Sequence, residues 1–153
     1  MKEMWDKKAA SYSRFTGEPS VFHRGLYAKI AEFGVKFENK SVVDIGCGTG
    51  VHTLFLAQIC REITGMDISG EMLKVMLEDA TKFNISNLTA VQSDFKNFNP
   101  NRVYDVAFST MSPAIADEED FVKFINLGEK RVYLWWNKPR YSSVLELFYE
   151  GSQ

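Results

Sequence analysis

Between residues 41 and 136 short apolar, β-branched runs alternate with amphipathic segments, and this alternation leaves few folds open. The runs are Ser41 to Ile45, Glu62 to Met66, Leu88 to Gln92, Tyr104 to Ser109 and Arg131 to Trp136. Each is too short for a helix and suits a strand. Val51 to Cys60 carries Leu54, Phe55 and Ile59 at helical spacing, and Gly70 to Phe83 aligns Met72, Leu73, Met76, Leu77 and Ala80 behind a Ser69 cap. Asp117 opens a third helix with Glu118, Glu119 and Asp120 in its first turn, Phe121, Phe124 and Ile125 as its buried stripe and Gly128 as its stop. Strands alternating with helices predict a doubly wound α/β sandwich of three layers around a parallel sheet. Right-handed crossovers then collect the strand C-termini, and any ligand crevice, on one edge.

The flanks read differently. Residues 1–17 form an arm, with Trp5, Ala9 and Tyr12 at helical spacing, and residues 18–33 read as a helix with Pro19 in its first turn and Gly34 as its C-cap. In the tail, Ser143 and Glu146 have capping-box spacing ahead of Leu147 and Phe148, which predicts a last helix and no further strand.

Composition narrows the function. With 153 residues, 45% hydrophobic and 25% charged, the chain suits one domain, 1–153, with a substantial core. A net charge of -2 provides no general attraction to nucleic acid or anionic lipid, so neither partner is expected. No run approaches the roughly 20 apolar residues of a membrane span, and the charged N-terminus lacks a signal-peptide core, so the expected location is cytoplasmic. The two cysteines, Cys47 and Cys60, form no CxxC pair, and only His23 and His52 could add imidazole ligands, so no metal site is expected.

The chemistry concentrates in Asp44-Ile45-Gly46-Cys47-Gly48-Thr49-Gly50, where a strand hands over to a helix. Glycines there allow a sharp turn and close approach of a ligand. Asp67 ends the next strand about 20 residues later, where an acid can accept from ribose hydroxyls. A dinucleotide fingerprint would need glycine at position 51, which is Val51, and a pyrophosphate would be repelled by Asp44. An adenosyl group bearing an ammonium fits both the spacing and the charge.

These residues resemble the first motif of class I S-adenosylmethionine-dependent methyltransferases. The likeness continues in order through Met66-Asp67-Ile68-Ser69, Glu71-Met72-Leu73, Ser93-Asp94-Phe95 and Tyr104 to Ser109, covering roughly residues 40–137. The resemblance implies a Rossmann-like sheet of order 3-2-1-4-5, S-adenosylmethionine as methyl donor and S-adenosylhomocysteine as product. It also implies roles. Asp44 and Gly46 face the methionine amino end, Cys47 and Gly48 line the turn, Asp67 takes the ribose, and Ile68 and Met72 flank the adenine. Ser93, Asp94 and Phe95 form the adenine turn, Ser109 lies near the methyl donor, and Tyr12 of the arm meets the methionine carboxylate. No general base is identified.

The family's sheet ends in an antiparallel hairpin of strands six and seven, which the sequence is expected to lack, as a C-terminally truncated or minimal form. Strand five, with Val132, Leu134 and Trp136, would then be an open apolar edge calling for a cover such as a second copy of the chain, a homodimer. The absence of basic stripes and of an Asn/Asp-Pro-Pro-aromatic motif at Ser112-Pro113 favours a small-molecule acceptor. Two alternatives stand beside the methyltransferase: a cofactor-holding module without catalysis, and a nicotinamide dinucleotide oxidoreductase. His52 reads as a solvated or packed residue, and His23, near the arm and within reach of a substrate, as a structural or surface one; Cys60 reads as core, and Trp135 and Trp136 as pointing to opposite faces of their strand.

Overall fold

A computed structural model describes residues 1–136 and the backbone of the strand Leu145–Glu150. In chain order the elements are α1 (Lys2–Lys8), α2 (Val21–Glu32), β1 (Ser41–Ile45), α3 (Val51–Ala57), β2 (Glu62–Asp67), α4 (Gly70–Lys82), β3 (Leu88–Gln92), β4 (Tyr104–Thr110), α5 (Glu118–Ile125), β5 (Gly128–Trp136) and β6 (Leu145–Glu150). They build one sheet of order β3-β2-β1-β4-β5-β6. The first five strands are parallel, in the expected order, and β6 runs antiparallel to β5.

Strand alternation divides the core between the two faces. Val42, Val106 and Phe108 pack with Ile30 of α2 and Leu56 of α3, while Val43, Ile45 and Ala107 pack on the opposite face with Phe124 of α5 and with Phe95 and Phe98. A third cluster joins Leu54 and Phe55 to Leu73, Met76 and Ala80 of α4. β1 is buried along its whole length, as a central parallel strand covered on both faces should be.

Three of the helices, α2, α4 and α5, start where a side chain satisfies a free amide. Ser20 accepts from the His23 amide, Ser69 from the Met72 amide at 3.1 Å, and Asp117 from the Asp120 amide at 2.8 Å. α2 therefore starts at Val21, with Pro19 ahead of its cap, and Gly34 takes the left-handed turn beyond its end. α5 stops at Asn126, because Gly128 belongs to β5 and pairs with Tyr104. Leu77, expected on the apolar face of α4, is exposed.

The tail overturns its expectation. Leu145–Glu150 is a strand, paired from Trp136↔Leu145 to Arg131↔Glu150. Ser143 of the expected capping box, and the side chain of Trp136, lie outside the described residues. A capping box is a local preference of about 1 kcal/mol, whereas the outer edge of β5 offers a ladder of backbone hydrogen bonds. The sequence Leu-Glu-Leu-Phe-Tyr-Glu also carries apolar residues at alternate positions 145, 147 and 149. β5 is thus paired on both sides, and the open edge that called for a second copy is filled from within the chain. Among the described residues no helix is long and apolar enough to cross a membrane.

Candidate functional site

The C-terminal ends of β1 to β4 open onto a cavity of about 700 Å³. Its floor is the turn after β1. The Gly46 and Cys47 amides donate to the Met66 carbonyl at 2.8 and 3.0 Å, tying this turn to the end of β2. Gly46 has φ +75°, and a Cβ there would sit 1.9 Å from Ser112 Oγ, so no other residue fits without displacing the segment after β4. Gly48, at φ +58°, has nothing within 4 Å of the place a Cβ would take.

Asp44 lies under this turn and is 1% exposed. Its Oδ2 accepts from Thr53 Oγ1 at 2.7 Å, while Oδ1 has no hydrogen-bond partner among the described residues. Burial, with the charge of Asp67 adding to it, pushes the Asp44 carboxyl up to about 7. Asp67, at the end of β2, accepts from the Gly48 amide at 2.8 Å and the Ser69 amide at 2.9 Å. Burial raises its pKa, and those amides hold the rise in check. Burial also pushes the Cys47 thiol well up, so it lines the turn as a neutral group.

After β3, the Ser93 amide donates to the Asp67 carbonyl and Ser93 Oγ to the Asp94 carbonyl. Asp94 folds back on Asn97, accepting from its amide at 2.8 Å and from its Nδ2 at 3.0 Å. Four carboxylates, Asp44, Asp67, Asp94 and Asp120, stand on the wall. Lys96 also lines it, paired with Asp117 at 3.0 Å and Asp120 at 2.9 Å. A wall of this charge favours a cationic ligand.

The arm crosses the opening. The carbonyl of Ser13 accepts from Thr49 Oγ1, Arg14 pairs with Asp79 at 2.8 Å, and Phe15 packs edge-on against Phe55 and Phe83 at 4.8 and 5.0 Å between centroids. Asp6 of α1 accepts from the cap hydroxyl Ser69 Oγ. This places Trp5 and Tyr12, in edge contact at 6.2 Å, on the cavity wall.

Eleven of the residues singled out from the sequence line this cavity together: Tyr12, Asp44, Gly46, Cys47, Gly48, Asp67, Ile68, Met72, Ser93, Asp94 and Phe95. Ser109 does not. It is fully buried and donates to the Ile45 carbonyl at 2.9 Å, bracing β4 against β1. β4 runs one residue further than expected, so Thr110, Met111 and Ser112 reach the cavity instead. Met111 adopts φ +51°, a turn that nothing in the local sequence announces. His23 and His52, weighed from the sequence and read as structural, packed or surface residues, both stand on the cavity wall. They come from different helices, so no spacing rule joins them.

A family described as "Methyltransferase domain" matches residues 42–127. An uncharacterized protein of Haemophilus influenzae is 29% identical over 133 residues, spanning 85% of this chain and 48% of that protein. An uncharacterized RNA methyltransferase of Chlorobaculum tepidum is 34% identical over 73 residues, 48% of this chain and 15% of that one. The chain thus spans about half the length, or less, of these curated relatives. Among solved structures, phosphoethanolamine N-methyltransferase 1 of Haemonchus contortus, in complex with phosphoethanolamine and S-adenosylhomocysteine, superposes with a TM-score of 0.67. It is 19% identical, with 94% of this chain and 33% of that one covered, which is a likeness of fold.

Proposed function

The chain belongs to the methyltransferase-domain family, and from that premise we propose that it binds S-adenosylmethionine in this cavity and transfers the methyl group to a small-molecule acceptor. The observation that carries the reading is Asp44 Oδ1, a buried carboxylate oxygen without a partner among the described residues, in the floor of a cavity built on a glycine turn. An unpaired buried charge is costly, and an ammonium group at that point removes the cost. The residues fit the cofactor further along the wall. Asp67 keeps acceptor capacity on both oxygens after receiving its two amides, which suits a pair of ribose hydroxyls. Ile68 and Met72 offer apolar surface for a base, and Asp94 retains lone pairs beside it.

When bound, the cofactor supplies a sulfonium methyl group, already a good electrophile. The protein's part is then alignment and exclusion of water. The glycine turn sets the depth of the ligand, Asp44 and Asp67 hold it at two points, and the arm with Tyr12 closes the side that would otherwise admit solvent. A small-molecule acceptor is supported by the near-neutral charge of the chain and by the carboxylates on the wall, which would repel the phosphates of a nucleic acid. A dinucleotide meets the same objection at Asp44.

Calorimetric titration with S-adenosylhomocysteine, with nicotinamide dinucleotide as control, tests this reading. One-to-one binding of the former alone is expected, weakened by about 10- to 100-fold or more in Asp67→Ala through loss of hydrogen bonds to a charged acceptor. A folded sample that ignores S-adenosylhomocysteine, or prefers the dinucleotide, overturns it.

A further inference from the structure

His23 of α2 and His52 of α3 meet edge to face on the cavity wall, with 4.9 Å between ring centroids. Each ring is held at Nδ1 by a hydroxyl. Ser20 Oγ lies 2.8 Å from His23 Nδ1, and Tyr27 Oη lies 2.7 Å from His52 Nδ1. Phe55 packs against the first ring and Phe108 against the second. Two imidazoles fixed in contact on the wall of a cavity, each with Nδ1 engaged and, among the described residues, Nε2 left over, form a built polar centre. We propose that this pair is the acceptor-binding and proton-accepting centre of the methyl-transfer site, and that the acceptor it serves is a phenol. The inference rests on reading the cavity as the S-adenosylmethionine site.

The hydrogen bonds assign the two rings different tasks. Burial, with the charge of Asp44 adding to it, pushes Tyr27 up, so its phenol stays protonated and donates to His52 Nδ1. His52 then carries its proton on Nε2 and is a donor. Burial, and after it the neighbouring His23, pushes His52 down to about 4, so it stays neutral. Burial lowers His23 too, without the large displacement of His52, so the proton that the pair accepts resides on His23. In the tautomer whose Nδ1–H donates to Ser20 Oγ, which the proposal requires, His23 Nε2 presents its lone pair. One acceptor oxygen can give its proton to His23 and accept a hydrogen bond from His52.

The chemistry of the pair selects the acceptor. Rings in contact accept one proton, because a second charge would be repelled by the first. An ammonium acceptor would bring its own positive charge to a centre about to become positive. An aliphatic alcohol is too weak an acid to lose its proton to imidazole. A phenol is neutral and, with a pKa near ~10, acidic enough for transfer in the transition state. In the step, the phenol oxygen forms the C–O bond to the methyl carbon and the C–S bond breaks, its electron pair passing to sulfur to leave a neutral thioether. The phenol proton passes to His23 Nε2 and from there to solvent.

The test uses the full chain, S-adenosylmethionine labelled in the methyl group, and two probes, phenol and 4-nitrophenol. Both are run at about pH 8.5, where the second is largely ionised and needs no base while phenol, with a pKa of ~10, stays protonated. His23→Gln should lower kcat for phenol by about 10²–10⁴-fold while leaving 4-nitrophenol within about threefold. Binding of S-adenosylhomocysteine should be unchanged in the variant, which also reports its folding. Equal losses on both probes would make His23 a packing residue and overturn the inference. So would methylation of benzylamine in place of phenol, or binding of S-adenosylhomocysteine by the wild type without transfer to phenol. Failure of the folded wild type to bind S-adenosylhomocysteine would instead overturn the cofactor reading, and this inference with it.

Discussion

Asp44 has one oxygen satisfied by Thr53 and one left to the cavity, and its proton equilibrium follows from that. Its pKa is about 7 in the fold against an ordinary 3.8. Between those pH values the native state keeps a proton that the unfolded chain has released. Stability therefore falls as pH rises through that window and levels off above about 7. Asp44→Asn keeps an acceptor for Thr53 and removes the charge. Without cofactor, the variant should be more stable than wild type at pH 8 by about 1–3 kcal/mol and no different near pH 4, measured by urea unfolding. Its affinity for S-adenosylhomocysteine should fall in the same sample, separating a binding residue from a fold residue. At this scale the sequence was most legible where geometry leaves one choice. Gly46 is required by a left-handed backbone and by Ser112 pressing on it, and its place between a strand and a helix announces both. Ser109 was misread because one residue of strand length decides whether a side chain faces the crevice or a neighbouring strand.

Helix starts were readable because caps are local chemistry. Ser69 and Asp117 accept from amides three residues on, as their positions imply. Ser69 does more than the sequence suggests, since its hydroxyl also donates to Asp6 and so ties the start of α4 to α1. Ser69→Ala should cost about 1 kcal/mol from the lost cap and should free α1 as well. Chemical denaturation would report the first effect, and faster tryptic cleavage after Lys7 and Lys8 the second. Preserved protection of those lysines would show that α1 is held without Asp6. β6 marks the limit of local reading. Its alternating pattern and its capping-box spacing are both present in the sequence, and they disagree. The free edge of β5, assembled from residues distant in the chain, resolves the conflict in favour of the strand.

At the scale of the molecule, the arm is the element whose role depends on everything else. Phe15 is 3% exposed although it lies in a segment of bends and turns, because rings from α3 and from the end of α4 enclose it. Phe15→Ala should release the arm while leaving the sheet intact. With about 3–5 kcal/mol lost from a buried phenylalanine, amide exchange in residues 1–17 should accelerate by at least about 100-fold, with the strands unaffected. Uniform acceleration across the sheet would instead make Phe15 part of the global core.

The sequence by itself determined five parallel strands alternating with helices, the glycine turn, and Asp44 and Asp67 beside it, because strand period, turn geometry and capping act over a few residues, while the strand order came from the resemblance to class I methyltransferases. The tertiary structure alone decided that the tail closes the sheet, that Ser109 braces β4 rather than lining the crevice, and that His23 and His52 share a wall. Those outcomes depend on which distant surfaces meet, and a backbone edge or a pair of rings acquires its partner only when the chain has folded.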